Sequence, residues 1–557
     1  MQDTYNDVLR AVTRDYLSQC DPNNPPRPDI LEADVLRETR KQFELQNSVI
    51  TNPSARFRMP KKLAPQQIAD IVSYFYRVRR IPPAESSDDT EYDMLGIYCE
   101  SGEDVGIYVT SDNVFRNLAR QYHYTLTNNE FREYMTALRD LAPRVRRCRE
   151  PCLVPVNNGI FDYDRKVLYS FSPDYVFLSK CRVNYNPNAV NVIIHNDEDN
   201  TDWNVEEWMY QLSDDAGITN LLWQILGAII RPYVNWNKAA WFYSQTGNNG
   251  KGTLCELMRE LVGAGSYASV SLSDMNKDFA LESLIRSTAV IVDENDVGTY
   301  IDKAANLKAL ITHDVVQINR KFKQMIPFRF YGFMVQCLNE MPRVKDRSDS
   351  FYRRQIFIPF KKSFTGMERK YIKNDYLHRK EVLEYVLFKV LNMDYYEFDV
   401  PDSCLEALEE YKTYNDPVRQ FVEEIVSELK WDGLPYVFLY DLFCAWYKVT
   451  VKESGLMSQR SFVLALKNVI RTMDTPFMLC EDDKGKDKKW WAKGKMAGPE
   501  PMIRTYGLKT WSNPVYKDRG PDELFCTPLN LAANYRGLVR IPTPDADSQK
   551  ESEDLQQ

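Results

Sequence analysis

Residues 239–261 read AAWFYSQTGNNGKGTLCELMREL. An apolar run leads into a turn dense in Gly and Asn, and the turn opens into an amphipathic helical stretch. Strand, glycine-rich turn and helix in that order frame a phosphate-binding loop. Gly247 and Gly250 let backbone N–H groups approach anionic oxygens at the helix N-terminus, and Lys251 reaches the outer phosphates. The predicted cradle is Gly247, Asn248, Asn249, Gly250, Lys251, Gly252 and Thr253, with the Thr253 hydroxyl as a magnesium ligand. Two features depart from the common pattern: Gln245 stands where a first glycine is usual, and Gly252 separates the lysine from the hydroxyl. A Gly/Asn turn that merely starts a helix has the same local pattern, so the flanking sequence has to decide.

Downstream, residues 287–296 (STAVIVDEND) form an apolar strand that stops abruptly at Asp293 and Glu294. In-line phosphoryl transfer from ATP needs one carboxylate near Mg2+ and another to orient and deprotonate water, and this pair offers both. In isolation, an ordinary solvent-facing strand end reads the same. Residues 328–342 (FRFYGFMVQCLNEMP) give a second buried strand, ending at Asn339, whose amide suits a γ-phosphate or its water. Arg353 and Arg354 follow in SFYRRQIFIPF, where an arginine can reach a neighbouring subunit's ATP or simply be a surface basic pair. Between carboxylates and asparagine lies VVQINRKFKQMIPFRF, with Arg320, Lys321 and Lys323 around Phe322. Its strand–turn–strand pattern predicts a hairpin that grips DNA through phosphates and aromatic packing, without sequence preference.

Working outward, 557 residues at roughly 150 per domain predict three or four units. Hydrophobic residues at 44% and aromatics at 13% exclude a largely disordered chain. The N-terminus MQDTYNDVLR lacks the features of a signal peptide, and the most apolar run, 221–230, is too short for a bilayer, so a cytoplasmic protein without membrane contact is expected. The 11 cysteines are scattered and odd in number, which predicts buried thiols. Cys148 and Cys152 are close, but with four His in the chain no second zinc ligand pair is evident. The net charge of -8 does not announce a nucleic-acid binder, so any such surface must be local. Basic clusters occur at Arg77, Arg79 and Arg80, at Arg144 to Arg149, and at Lys484 to Lys495.

Punctuation divides the chain. Residues 1–90 hold helix-like runs and close on PPAESSDD, a predicted linker; 91–202 read as strands, a helix and hairpins; 203–400 alternate helices with apolar strands as a parallel α/β sheet does. Residues 401–542 read as three helices and a Lys-rich hairpin, suggestive of a winged helix, and 543–557 form a disordered acidic tail.

The ordered set GNNGKGT, VIVDEND, NRKFK, LNEMP and RR resembles the superfamily 3 helicases, within them the phage and plasmid primase–helicase group related to the poxvirus primase–helicase. VNNGIFDYDRKVLYSFSPDYVF and YNPNA resemble that group's pre-helicase domain, and DPVRQFV, LYDLFCAWY and SQRSFVLAL its C-terminal winged helix. The resemblance implies a multidomain α/β protein: an AAA+ P-loop motor with an α+β domain before it and a winged helix after it. It further implies a homo-oligomeric ring, usually a hexamer, that binds ATP and Mg2+ between subunits and moves on single-stranded DNA, with origin duplex DNA as a second partner. By position, Lys251 and Thr253 bind phosphate and magnesium, and Asp293 and Glu294 serve magnesium and catalysis. Asn339 senses the γ-phosphate, Arg353 or Arg354 is the finger, and Lys321 with Lys323 contacts DNA.

Relatives often carry an upstream primase–polymerase domain, but residues 1–90 are too few, and Asp88, Asp89 and Asp93 show no metal-binding pattern, so primer synthesis is not expected. The role of residues 1–90 stays open between a loading or oligomerisation collar and a docking site for a host or phage replication protein. Two other readings remain: a non-hydrolysing, ATP-switched replication initiator that binds origin DNA, and a P-loop motor for another polymer, such as a packaging motor. Glu294 and a usable arginine finger argue against a pure switch.

Overall fold

The apolar run ahead of the glycine-rich turn is a strand inside a parallel sheet. In this computed structural model, which describes residues 4–84, 90–321, 324–450, 456–512 and 531–542, five strands build that sheet. They are β1 (Ala239–Tyr243), β2 (Tyr267–Ala268), β3 (Ala289–Val292), β4 (Phe333–Leu338) and β5 (Gln355–Pro359). Their spatial order is β2-β3-β4-β1-β5, and every neighbouring pair is parallel. β3 and β4 are buried at every position, which explains why they read as unbroken apolar runs. Tyr243 lies opposite Leu338, and Val292 opposite Gln336. Whatever follows β1, β3 and β4 therefore emerges on one edge of the sheet.

Three helices complete this core: α1 (Ala216–Ile230), α2 (Lys251–Val262) and α3 (Lys380–Asn392). α1 is buried nearly all round. α2 turns Leu254, Leu257, Met258 and Leu261 inward, the spacing of one helical face. Val154, Val156 and Phe161, from the strands Leu153–Val156 and Gly159–Asp162, join the same core. The NNG turn expected there connects those two strands, with Val156 opposite Gly159.

Ahead of them, the helices Tyr5–Ser18, Pro28–Val49, Pro65–Phe75, Asp112–Tyr122 and Asn128–Leu141 share another core with the strands Val78–Ile81 and Met94–Tyr98. Gln67 ties three of these helices by donating to Thr13 at 3.0 Å and Thr39 at 3.4 Å. The two strands pair antiparallel, Val78 opposite Ile97, so the boundary expected near residue 90 falls within their connection, and one core spans it. Asp93, expected in a linker, is buried, and its carboxylate accepts two bonds from Arg144 at 2.9 and 3.0 Å. Asp88 and Asp89 lie outside the described residues.

The chain is mixed α/β and multidomain, in two compact units, Met1–Leu408 and Glu409–Gln557. The second unit packs the helices Pro417–Glu424, Tyr436–Thr450 and Gln459–Thr472 around Phe421, Trp446 and Phe462. Its sheet places Gly537–Arg540 between Gly433–Pro435 and Phe477–Leu479, both pairings antiparallel. In the Lys-rich segment the chain doubles back: Asp482 N–H donates to Lys486 O at 2.9 Å, and Gly485 takes φ 72°. The tail, 543–557, lies outside the described residues. Among the described residues no helix is long and apolar enough to cross a membrane.

Candidate nucleotide-binding site

In an open parallel sheet, ligands bind in the crevice outside the carboxyl ends of the strands, where connections leave in opposite directions. Here the connection after β1 crosses to β2 on one side, while β5 flanks β1 on the other. The glycine-rich turn, Asp293 and Asn339 follow β1, β3 and β4 and so share that edge. Within the turn, Asn248 and Gly250 take φ of 53° and 86°. Left-handed backbone at alternate positions curls peptide N–H groups inward, as an anion nest requires. Gly250 is fixed twice over, because a Cβ there would also lie 2.5 Å from Leu212 Cδ2. Asn249 Nδ2 closes the turn by donating to Thr246 O. Gly252 and Thr253 occupy the first turn of α2, so the intervening glycine leaves the hydroxyl at the helix start.

Lys251 is 4% exposed, and its ammonium donates to Asn339 Oδ1 at 3.2 Å. Two expected site residues thus touch. No carboxylate pairs with this ammonium among the described residues, and burial pushes its pKa below the usual lysine value. A buried cation without a counterion is costly, and an anion seated in the turn would compensate it.

At the end of β3, Asp293 and Glu294 are both exposed. Asp293 accepts an ion pair from Arg259 of α2 at 2.9 Å. Burial works to raise its pKa, but the Arg259 guanidinium overrides it and holds the carboxyl below the ordinary aspartate range. A hydroxyl on Thr253 and a carboxylate on Asp293 are hard oxygen donors of the kind Mg2+ takes, so the donor chemistry fits that ion. A separate convergence of ligand-type side chains, Glu256, Glu260 and His378, already contains a His378–Glu260 contact of 3.3 Å.

The sequence did not single out Asn295. It is 4% exposed, donates to Gln336 Oε1 at 2.9 Å and Cys337 O at 3.0 Å, and accepts from Leu272 N–H at 2.9 Å. It locks the end of β3 to β4. The available signal was Gln336, a lone polar residue in an apolar strand that has to find a partner. Also missed was a cavity of about 680 Å3 beside the cradle, whose lining mixes apolar side chains such as Trp208 and Phe364 with charged ones such as Lys362, Glu368 and Lys373.

The basic segment forms the expected strand–turn–strand: Val315–Ile318 pairs antiparallel with Ile326–Arg329 on a separate two-stranded sheet. Half-buried Arg320 donates from Nε to Gln324 O at 3.2 Å, and Lys321 is exposed. Lys323 lies outside the described residues. Arg353 and Arg354 precede β5, and Arg354 O accepts from Ala239 N–H at 2.8 Å where β1 begins. They therefore stand at the amino end of the sheet, a strand length from the cradle, about 16 Å for five residues. Arg354 is held by Ser350 Oγ at 2.8 Å, whereas Arg353 is exposed. One chain does not bring either arginine to its own cradle.

Residues 242–354 match a family described as being of unknown function, DUF5906. That segment runs from β1 through Arg354 and so contains the whole cradle, both carboxylates and Asn339. No curated protein matches the chain. Among solved structures, the A form apo structure of the NrS-1 C-terminal region shares 13% identity at a TM-score of 0.37, covering 74% of this chain and 87% of that chain. An apo structure of NrS-1 residues 305–718 shares 13% identity at a TM-score of 0.38, covering 74% of this chain and 90% of that one.

Proposed function

We propose that the chain is an ATP-driven DNA helicase of the superfamily 3 type, moving on single-stranded DNA to open duplex during replication of a phage, plasmid or mobile element. The observation that carries the nucleotide part is the buried, uncompensated Lys251 ammonium at the mouth of a glycine-rich turn. The sheet order, with β4 between β1 and β3, supports an AAA+ motor, because it sets Asn339 between the cradle and the carboxylates. The three helices and three-stranded sheet of the second unit suit a winged helix.

In this reading the N–H groups of the turn and Lys251 bind the β- and γ-phosphates. Thr253 and Asp293 would hold Mg2+, which would supply charge neutralisation at the phosphates. Glu294, exposed at the strand end, accepts a proton from the attacking water, and Asn339 holds that water or the γ-phosphate. Arg353 reaches the ATP of a neighbouring copy, which makes a ring, expected as a hexamer, part of the active unit. Arg320 and Lys321 line the channel, so an acidic chain binds DNA through a local positive surface.

The deciding experiment is ATP hydrolysis with and without single-stranded DNA, beside Lys251→Ala and Glu294→Gln. DNA-stimulated turnover that both substitutions abolish is the expected result. ATP binding without turnover in the unmodified chain would instead identify an initiator switch.

A further inference from the structure

We infer that Glu256, Glu260 and His378 form a site for a transition-metal dication of the Zn2+ type, which clips α2 to the chain that follows β5. The inference stands apart from the nucleotide reading, because it uses none of the residues assigned to phosphate or Mg2+.

Two segments remote in sequence build the site. Glu256 and Glu260 stand four residues apart on α2, so one helical face carries both. His378 closes the short 3-10 helix Tyr376–His378, whose Tyr376 and Leu377 are buried in the same core as Leu257 and Leu261 of α2. One ligand atom from each of the three side chains lies within 4.8 Å of the other two. His378 Nδ1 and Glu260 Oε1 are 3.3 Å apart. That is long for a charge-assisted hydrogen bond, which runs about 2.7–2.9 Å. It matches the edge of a tetrahedron of ligands around Zn2+, roughly 3.3 Å for bonds of about 2.0 Å.

Electrostatics favours a cation here. Carboxylates at i and i+4 of a helix repel one another. Glu260 also lies in the last turn of α2, where the partial negative charge of the helix end disfavours an anion. Among the described residues, His378 is the ion-pair partner of Glu260. Glu256 meets Arg259 at 3.3 Å, but Asp293 holds that guanidinium more closely, at 2.9 Å. A dication between the two carboxylates relieves both strains at once.

The donor set selects the ion. One imidazole with two carboxylates is a combination that Zn2+ takes, with water as a fourth ligand, and the partial exposure of all three side chains leaves room for that water. Mg2+ prefers oxygen donors alone, so this site does not draw on the same ion as the phosphates. The segment that carries His378 is already fastened to the glycine-rich turn at its other end: Phe364 N–H donates to Asn248 O at 2.7 Å, and Asn248 Nδ2 donates to Glu368 Oε1 at 2.9 Å. A metal at His378 ties the same segment to the helix behind the turn. The ion therefore stiffens the frame of the turn without touching what the turn binds.

The test uses the full chain, stripped with a chelator and titrated with Co2+, whose visible absorption reports four-coordinate geometry. Melting temperature is read with and without Zn2+, and His378→Ala and Glu260→Gln are measured alongside. The expected result is one Co2+ per chain, displaced by Zn2+, with affinity reduced at least on the order of tenfold in either variant. Zn2+ should raise the melting temperature of the parent and leave that of the variants unmoved. Without metal the variants should melt with the parent, since a partly exposed pair adds little stability. A parent without the four-coordinate spectrum overturns the assignment, and so does a spectrum that both variants retain. Variants that melt below the parent in the absence of metal, with Co2+ affinity intact, would make the cluster a plain ion pair.

Discussion

Arg259 Nη2 lies 2.9 Å from Asp293 Oδ1, and the same guanidinium reaches Glu256 at 3.3 Å. The helix that starts at the glycine-rich turn therefore also holds the carboxylate at the end of β3. An ion that takes Asp293 must compete with this arginine. Arg259→Met is expected to tighten Mn2+ binding several-fold in the presence of ADP, read by electron paramagnetic resonance. The Asp293 side chain is 44% exposed, so the pair itself adds little stability, at most about 1 kcal/mol. Unchanged or weaker metal binding in the variant would show that the pair does not guard the carboxylate.

The two arginines before β5 differ in a way that sorts their roles. Arg354 is tied to Ser350, and its Nε is buried, whereas Arg353 is exposed at the amino end of the sheet. Arg353→Ala is expected to lower ATP turnover on the order of a thousandfold with no change in melting temperature, and Arg354→Ala to lower stability. If Arg353 serves the ATP of a neighbouring copy as proposed, mixing Arg353→Ala with Lys251→Ala subunits should restore part of the rate. Full activity of Arg353→Ala alone would remove it from the mechanism.

The strand, glycine-rich turn and helix were legible because they are contiguous: an apolar strand, a turn with Gly247 and Gly250, then Lys251 at a helix start. The hairpin around Arg320 was legible for the same reason, since Ile318 and Ile326 pair across a short turn. What escaped is non-local. Trp208 and Phe364, far apart in sequence, come to line one cavity only in the folded chain. Gln336 is a polar side chain inside an apolar strand, and its partner Asn295 comes from beyond the end of another strand. The strand Gly537–Arg540 was missed because four residues have no period to read, and its partners Leu434 and Leu479 are far away in sequence. The break expected near residue 90 rested on Pro and Ser content, which marks a turn as readily as a domain edge.

Two histidines give the fold a pH dependence near neutrality. Burial pushes His313 and His123 below their ordinary value of 6.5. The unfolded chain takes up protons on them near pH 6.5 while the folded chain resists, so stability falls as the pH drops through 6.5 towards the lower folded values. His313 sits at φ 54°, which asparagine tolerates. His313→Asn is expected to narrow the difference in urea midpoint between about pH 7.5 and about pH 5.5. A midpoint difference as wide as the parent's would assign the dependence to other groups.

In the second unit, the helix Gln459–Thr472 exposes Arg460, Asn468 and Arg471 on one face, the arrangement that would meet DNA phosphates and base edges. Its cations are partly neutralised by the segment that follows it. Lys467 Nζ lies 2.6 Å from Asp487 and 3.4 Å from Glu481, and Arg471 lies 2.9 Å from Glu481. If DNA docks on this face, these carboxylates would compete with phosphate for the same charges. Glu481→Gln is therefore expected to raise affinity for duplex DNA and to steepen the dependence of log K on log salt by about one unit per charge released. Asp487→Asn should act in the same direction through Lys467. Fluorescence anisotropy across a salt series reads both quantities. If affinity stays constant while the fold remains intact, DNA does not use this face, and the pairs serve only to fix the hairpin segment against the helix.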